Sequence, residues 1–502
     1  MPAVFGDHMV LQRELPLKVW GWADPGEAVS VALAGQSAKT QADSDGQWEL
    51  RFEPLVASFD PVEFKISGKN TIAFEDVLVG DVWLCSGQSN MVFELRRSLH
   101  GKAAMSEEID PSIRSFYVKR HPAIDPMDDV EGHWAVSAND VKALAGFSAV
   151  GFYFGREIQR TQNVPVGLIG SNWGGTRSQS WTSLEGLQAS PETSPYTDGL
   201  LEKKAQISKR MKVYEAKTLP EWQKALDAWK SEQDPKGPKP QKPKSPGGSH
   251  HFVTSLYNGM IHPLTGFAMK GAIWYQGEAN AKQNAVEYAS LFPALIRDWR
   301  QQWGQGDFPF IFVQLAGFKN GKGDWPVLRE AQRRTLSVPN TAMAMALDVG
   351  EETDIHPKNK LVVGERLALA ARQVAYGEDL TYSGPSFESM EVKGPRALVT
   401  FDHTDGGLMV GTISEDATHF IAAASGTEVQ GFELAGEEGV FYPAQARILK
   451  NNKVELTSEQ VDKPLAVRYA WSAWPEPSAN LYNQAGLPTV PFTTEAWPPI
   501  VE

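Results

Sequence analysis

A single cysteine in 502 residues, Cys85, leaves no partner for an intrachain disulfide. That suits the cytoplasm, and equally an exported chain large enough to build a core without covalent staples. No run approaches the roughly 18 to 20 apolar residues that cross a bilayer, so a membrane partner is not expected. The formal net charge is -13 and the basic residues form no stripe, which argues against nucleic acid. There is no His-Glu-x-x-His and no thiolate cluster, and Gly304-Gln305-Gly306 lacks the later spacing of a dinucleotide or phosphate loop. Neither metal nor cofactor is expected. The opening Met1-Pro2-Ala3-Val4-Phe5 runs almost directly into alternating sequence and does not read as a signal peptide.

What is present is an ordinary folded composition, 42% hydrophobic and 22% charged, in a chain long enough for two or three domains. Residues 1–75 alternate apolar with polar or small residues, as in Leu15, Leu17, Val19 and Val29, Val31, Leu33, punctuated by Asp24-Pro25-Gly26 and Asp43-Ser44-Asp45-Gly46. A small β-sandwich is expected there. From residue 76 to 378 short buried strands alternate with helical stretches. Strands are expected at 77–84, 164–170, 269–274, 308–315 and 341–347, with helices over 91–96, 144–160 and 281–303. That rhythm predicts an α/β fold with a parallel sheet covered on both faces. Residues 200–250 interrupt it as an exposed insertion, whose Pro/Lys-rich stretch 234–248 cannot form a regular element. Residues 379–502 return to β texture and form a third, β-rich domain.

Chemistry gathers at the strand ends. Cys85-Ser86-Gly87-Gln88-Ser89-Asn90-Met91 follows one strand and opens a helical stretch, placing Ser89 where a serine hydrolase holds its nucleophile, although Met91 departs from the Gly-x-Ser-x-Gly elbow. A helix cap is the competing reading for Ser86 or Ser89. Among ten histidines, His356 is the best-placed base, with Asp354 to orient it. A simple turn competes there, and His262, then His250 and His251, are further candidates. Gly174-Gly175-Thr176 and Gln276-Gly277-Glu278 end two more strands, where backbone or amide N–H groups could meet an oxyanion. Of the aromatic residues, Trp181 and Tyr275 are the better candidates for sugar contacts, against a core role. Open α/β sheets bind ligands at this edge.

These segments, with Asp7 to Arg13, Trp325 to Gln332, Asp354 to Lys360, Ala466 to Trp471 and Asn480 to Asn483, resemble the sialate O-acetylesterase family. That family is a carbohydrate acetylesterase branch of the Ser-Gly-Asn-His hydrolase superfamily. The resemblance runs over nearly the whole chain. It implies a three-layer α/β/α catalytic domain with β-rich companions, and a serine esterase that removes O-acetyl groups from carbohydrates without a cofactor. Ser89 would be the nucleophile and His356 the base, with the Ser89 and Gly175 amides and the Gln276 side chain forming the oxyanion hole. Gln88, Asn90, Arg177, Gln179, Trp181, Tyr275 and Glu278 would line the substrate site. Many relatives are exported, which implies a periplasmic or secreted enzyme whose signal peptide is absent from this chain, with the cytoplasm left open.

Two departures bear on the site. The superfamily often sets its acid three residues before the histidine, where this chain has Thr353; Asp354 is two before, and Glu352 is the reserve. Family members commonly carry an acid where Gln179 stands, so substrate preference could shift. Sialic acid itself predicts a cation near the acetyl pocket, with Arg177 nearest in sequence. Acetylated xylan or another plant or algal polysaccharide is the alternative substrate, and a carbohydrate-binding protein without catalysis is the alternative of another class. No oligomeric state follows from the sequence.

Overall fold

The computed structural model describes residues 1–498 except 232–236 and the single positions 322, 415, 425, 451 and 477. The first strands are β1 (Val10–Gln12), β2 (Leu17–Trp22), β3 (Ala28–Leu33), β4 (Gln36–Gln41), β5 (Gln47–Phe52) and β6 (Ser58–Ser67), followed by the long β7 (Thr71–Gly87). The first half of β7 alternates exposed with half-buried residues and pairs antiparallel with β6; its second half is buried at every position. One continuous strand therefore leaves a one-sided sheet and enters a two-sided one, as the change from alternating to unbroken apolar sequence requires.

The second half of β7 lies at the centre of a helix-flanked sheet. Its neighbours are β8 (Ile113–Tyr117), β9 (Trp134–Val136), β10 (Val166–Asn172), β11 (Gly271–Tyr275), β12 (Phe310–Val313) and β13 (Thr341–Ala344), in the order β13-β12-β11-β7-β10-β8-β9. All these pairs are parallel except β8 with β9. Alternate residues divide between two cores. Leu84, Trp274, Phe310 and Phe312 join one with Phe292 and Trp299, whereas Trp83, Cys85, Ile273, Tyr275 and Ile311 join another with Phe154 and Leu367. Helices Tyr288–Trp303, Ala149–Gln162 and Leu361–Tyr376 supply these facing side chains.

Some boundaries differ from the sequence expectation. Residues 144–160 are not one helix: Val141–Gly146 ends before an extended Phe147-Ser148, where the Ser148 hydroxyl accepts the Gly151 N–H at 3.0 Å and caps Ala149–Gln162. The stretch after Ser89 is a single α-turn, Ser89–Val92, and then a 3-10 turn, Leu95–Arg97. Strands β8 and β9 had no expectation. The insertion carries helices Leu200–Val213 and Leu219–Ser231, along which residues 237–243 of the Pro/Lys-rich stretch are laid. Tyr214, Trp222 and Trp229 donate to the carbonyls of Pro243, Pro240 and Gly237 at 3.0, 3.1 and 2.9 Å. Residues 234–236 of that stretch lie outside the described residues. Beyond residue 379 the described residues form two four-stranded antiparallel sheets and a three-stranded one.

Candidate active site

Register sets the site. Gly87 of β7 lies level with Asn172 of β10 and Tyr275 of β11, so the loops beginning near Ser89, Trp173 and Gln276 leave the same sheet edge side by side. Gly87 has φ +136°, and a Cβ on it would lie 2.2 Å from the Tyr275 carbonyl oxygen. Only glycine allows the strand to turn so close to its neighbour and present Ser89.

His356 arrives from the loop that follows β13. Its Nε2 lies 2.8 Å from Ser89 Oγ. The Asp354 carboxylate lies 3.5 Å from His356 Nδ1 and accepts the His356 backbone N–H at 2.9 Å. A carboxylate beside Nδ1 favours the proton there, leaving Nε2 to accept from the serine hydroxyl. Burial lowers the His356 pKa below its ordinary 6.5, opposed by Asp354 and aided by Lys360 and Arg97. The imidazole is thus neutral and ready to take a proton at pH 7. Glu352, the reserve acid, pairs instead with Lys319 at 2.9 Å. His262 Nδ1 contacts the Met127 carbonyl at 3.0 Å, and neither it, His250 nor His251 reaches Ser89.

The glycine loop packs on Ser89: a Cβ on Gly174 would lie 3.2 Å from that of the serine. Gly175 is exposed with φ +75°, and among the described residues no acceptor contacts the Gly174 or Gly175 N–H. The Ser89 N–H is in the first turn, where no intrahelical acceptor exists. With only one turn behind it, the site relies on individual N–H groups rather than a long helix dipole. Gln276 does not serve as the oxyanion donor. Its amide nitrogen donates both hydrogens elsewhere, to the Thr176 carbonyl at 3.1 Å and Asn280 Oδ1 at 2.7 Å, while its oxygen accepts from Tyr288 at 2.7 Å. It fixes the glycine loop instead.

Several expected substrate contacts are likewise structural. Trp181 and Tyr275 have no accessible surface; Trp181 donates to Thr176 Oγ1, and Tyr275 lies in the core. Gln179 is held by Asn280 and Asn284 and belongs to a buried amide network rather than an open pocket. Asn90 donates to Glu278 and to the Ile355 carbonyl and accepts from Lys360 Nζ at 2.6 Å. Burial pushes the Glu278 pKa up and that of Lys360 down to about 7. Asn90 and Glu278 therefore brace the site from beneath. Gln88 accepts the Ala279 N–H at 3.2 Å, and its amide nitrogen has no protein partner among the described residues. Arg177 is half-buried beside the glycine loop and forms no ion pair with the described residues. Sequence reasoning missed Lys360 as a member of the site, because nothing in its neighbours marks a lysine for burial.

Among the described residues, no cluster of three or more His, Cys, Asp or Glu side chains could hold a metal ion, and no helix is long and apolar enough to cross a membrane. Residues 79–219 and 224–373 match the sequence model of a family described as "Carbohydrate esterase, sialic acid-specific acetylesterase". The chain is 31% identical to the sialate O-acetylesterase of Mus musculus, across 97% of this chain and 93% of that protein. It is 30% identical to that of Homo sapiens, across 97% and 90%. A crystal structure of a carbohydrate acetylesterase from Xanthomonas citri is similar over 99% of both chains, with 36% identity and a TM-score of 0.81.

Proposed function

We propose, from the premise that this chain belongs to the sialic acid-specific acetylesterase family of carbohydrate esterases, a two-step hydrolysis of sugar O-acetyl esters with Ser89 as nucleophile. The observation that carries the assignment is the 2.8 Å approach of His356 Nε2 to Ser89 Oγ. Ser89 Oγ attacks the acetyl carbonyl carbon as its proton passes to His356 Nε2, and the Ser89 and Gly175 N–H groups receive the oxyanion. The tetrahedral adduct collapses, and His356 returns the proton to the departing sugar oxygen. Water then attacks the acetyl-enzyme with His356 again as base, releasing acetate and restoring the serine. Asp354 orients the imidazole and stabilises its charged form.

The substrate class is an O-acetylated sugar of sialate type, a reading supported by the family and its mammalian relatives. The parallel order around β7, with a separate core on each face, supports reading residues 76–378 as a three-layer Ser-Gly-Asn-His hydrolase domain between β-rich companions. Acetate release from O-acetylated sialic acids, acetylated xylan and other acetylated polysaccharides tests the mechanism and the substrate class. Wild type should release acetate from the sialates, and S89A should release none; acetate release surviving S89A overturns the mechanism. Release from xylan alone overturns the substrate class.

A further inference from the structure

Trp173, the residue before Gly174, gathers His250 and Arg120 beside the glycine loop. The His250 ring, from the end of the insertion, stacks on its indole at a centroid distance of 4.7 Å and 15° between planes. The Arg120 guanidinium lies 5.8 Å from the same ring, with Nε directed 3.4 Å from the Asn172 carbonyl. His251 packs against His250 at 4.0 Å. Arg120 and His251 are exposed, and Trp173 and His250 half-buried. Among the described residues no carboxylate pairs with Arg120, His250 or His251. In a chain of net charge -13, the Arg120 guanidinium is left without a paired acid beside the glycine loop, whereas Glu94, which also acts on Tyr117, is paired with Arg96. Tyr117, which adjoins Arg120, adds a hydroxyl to the same rim.

We propose that Arg120, held in place by Trp173 and His250, binds the carboxylate of an acidic sugar whose acetyl ester lies on Ser89. The assignment rests on the esterase reading and deepens it: Ser89 performs the chemistry, and Arg120 selects the sugar. A guanidinium presents paired N–H donors that match a carboxylate, and its interaction with an anion is stronger than a neutral hydrogen bond. Trp173 has its ring against both His250 and Arg120, so it acts as the support that orders them rather than as an open face for sugar stacking. Arg177 makes no cation–ring contact among the described residues and is not assigned this role.

The test is a selectivity ratio. Acetate release is measured for an O-acetylated sialic acid and for the same sugar with its carboxylate converted to a carboxamide, using wild type, Arg120→Gln and Arg120→Lys. Wild type should favour the acid, and R120Q should lower the ratio of kcat/KM values by about 10- to 100-fold, chiefly through KM on the acid. R120K should recover part of it. An unchanged ratio in R120Q overturns the proposal even where Ser89-dependent acetate release is intact, whereas loss of that dependence defeats the esterase reading instead. An O-acetylated uronic acid measured beside its carboxamide separates the two sources of carboxylate. A ratio that falls only for the sialate assigns the subsite to that sugar, and one that falls for both assigns it to acidic sugars generally.

Discussion

Asn90 Nδ2 donates to the Ile355 carbonyl at 3.1 Å, so the residue after Ser89 holds the residue before His356. The same side chain accepts from Lys360 and donates to Glu278, and all three are buried. The separation of Ser89 and His356 is thus set by a polar knot that touches neither reacting atom.

Asn90→Ala should lower kcat by about 100-fold with little change in KM. The substitution deprives buried Lys360, Glu278 and the Ile355 carbonyl of a partner, at about 1–3 kcal/mol for each group left unsatisfied. The His356 loop then loses its tie to the Ser89 turn while the Ser89 and Gly175 N–H groups stay. Steady-state kinetics on an O-acetylated sugar, beside a urea unfolding curve, checks this; a rise in KM at constant kcat would assign Asn90 to substrate binding instead.

The acid limb of the kcat/KM profile should lie below pH 6.5, because burial lowers the His356 pKa from that value. Asp354 raises it against that trend, so Asp354→Asn should move the limb to still lower pH. The plateau should fall by roughly 10- to 1,000-fold, less than for a fully buried triad acid, because Asp354 is exposed enough for solvent to screen it. A limb that moves upward in D354N would show that another carboxylate governs the imidazole.

Lys360 predicts a pH dependence of folding. Unfolded, it holds its proton up to the ordinary 10.5; folded, burial brings the pKa down to about 7. Between these values the unfolded chain binds more protons, so stability contributed by this group rises with pH, by at most about 1.4 kcal/mol per unit. Glu278 acts in the opposite sense, its pKa being raised above 4.5, so its contribution falls as pH rises beyond that value. Lys360→Met should remove the upward slope between pH 7 and 10. Urea unfolding of both proteins at three pH values in that range checks it, and equal slopes would show that Lys360 keeps its charge when folded.

The strand ends were legible in the sequence because each parallel strand is an unbroken apolar run that stops at small or polar residues, as at Gly87, Gly174 and Gln276. The pairing of Ser89 with His356 was legible because few histidines follow a strand end. The fates of Gln276, Trp181 and Tyr275 were not. A side chain at a strand end faces either the substrate or a neighbouring loop, and which it does depends on partners such as Asn280 and Tyr288, brought in by helices whose orientation sequence spacing does not encode. Arg120 was hidden for the same reason: it follows β8, a short strand that gave no alternating signal, and it meets His250 across the Trp173 ring.

Arg329 joins the catalytic and C-terminal portions of the chain and should be among its most sensitive structural positions. From helix Trp325–Arg334 it donates to the carbonyls of Leu315 and Ala316, each at 2.9 Å, and of Ser472 and Ala473 at 2.7 and 3.1 Å. No carboxylate among the described residues pairs with it, and burial lowers its pKa to about 9. Ala473 also accepts the Phe318 N–H, and Lys319 N–H donates to the Glu352 carbonyl on the approach to His356. Arg329→Met would keep much of the volume but leave four carbonyls without their donor, so a loss of about 3–5 kcal/mol in urea unfolding is expected. Arg329→Lys should recover only part of it, since one ammonium cannot reach two pairs of carbonyls on opposite segments as the fork does. Full recovery by lysine would mean that the charge, and not the guanidinium geometry, holds the two segments together.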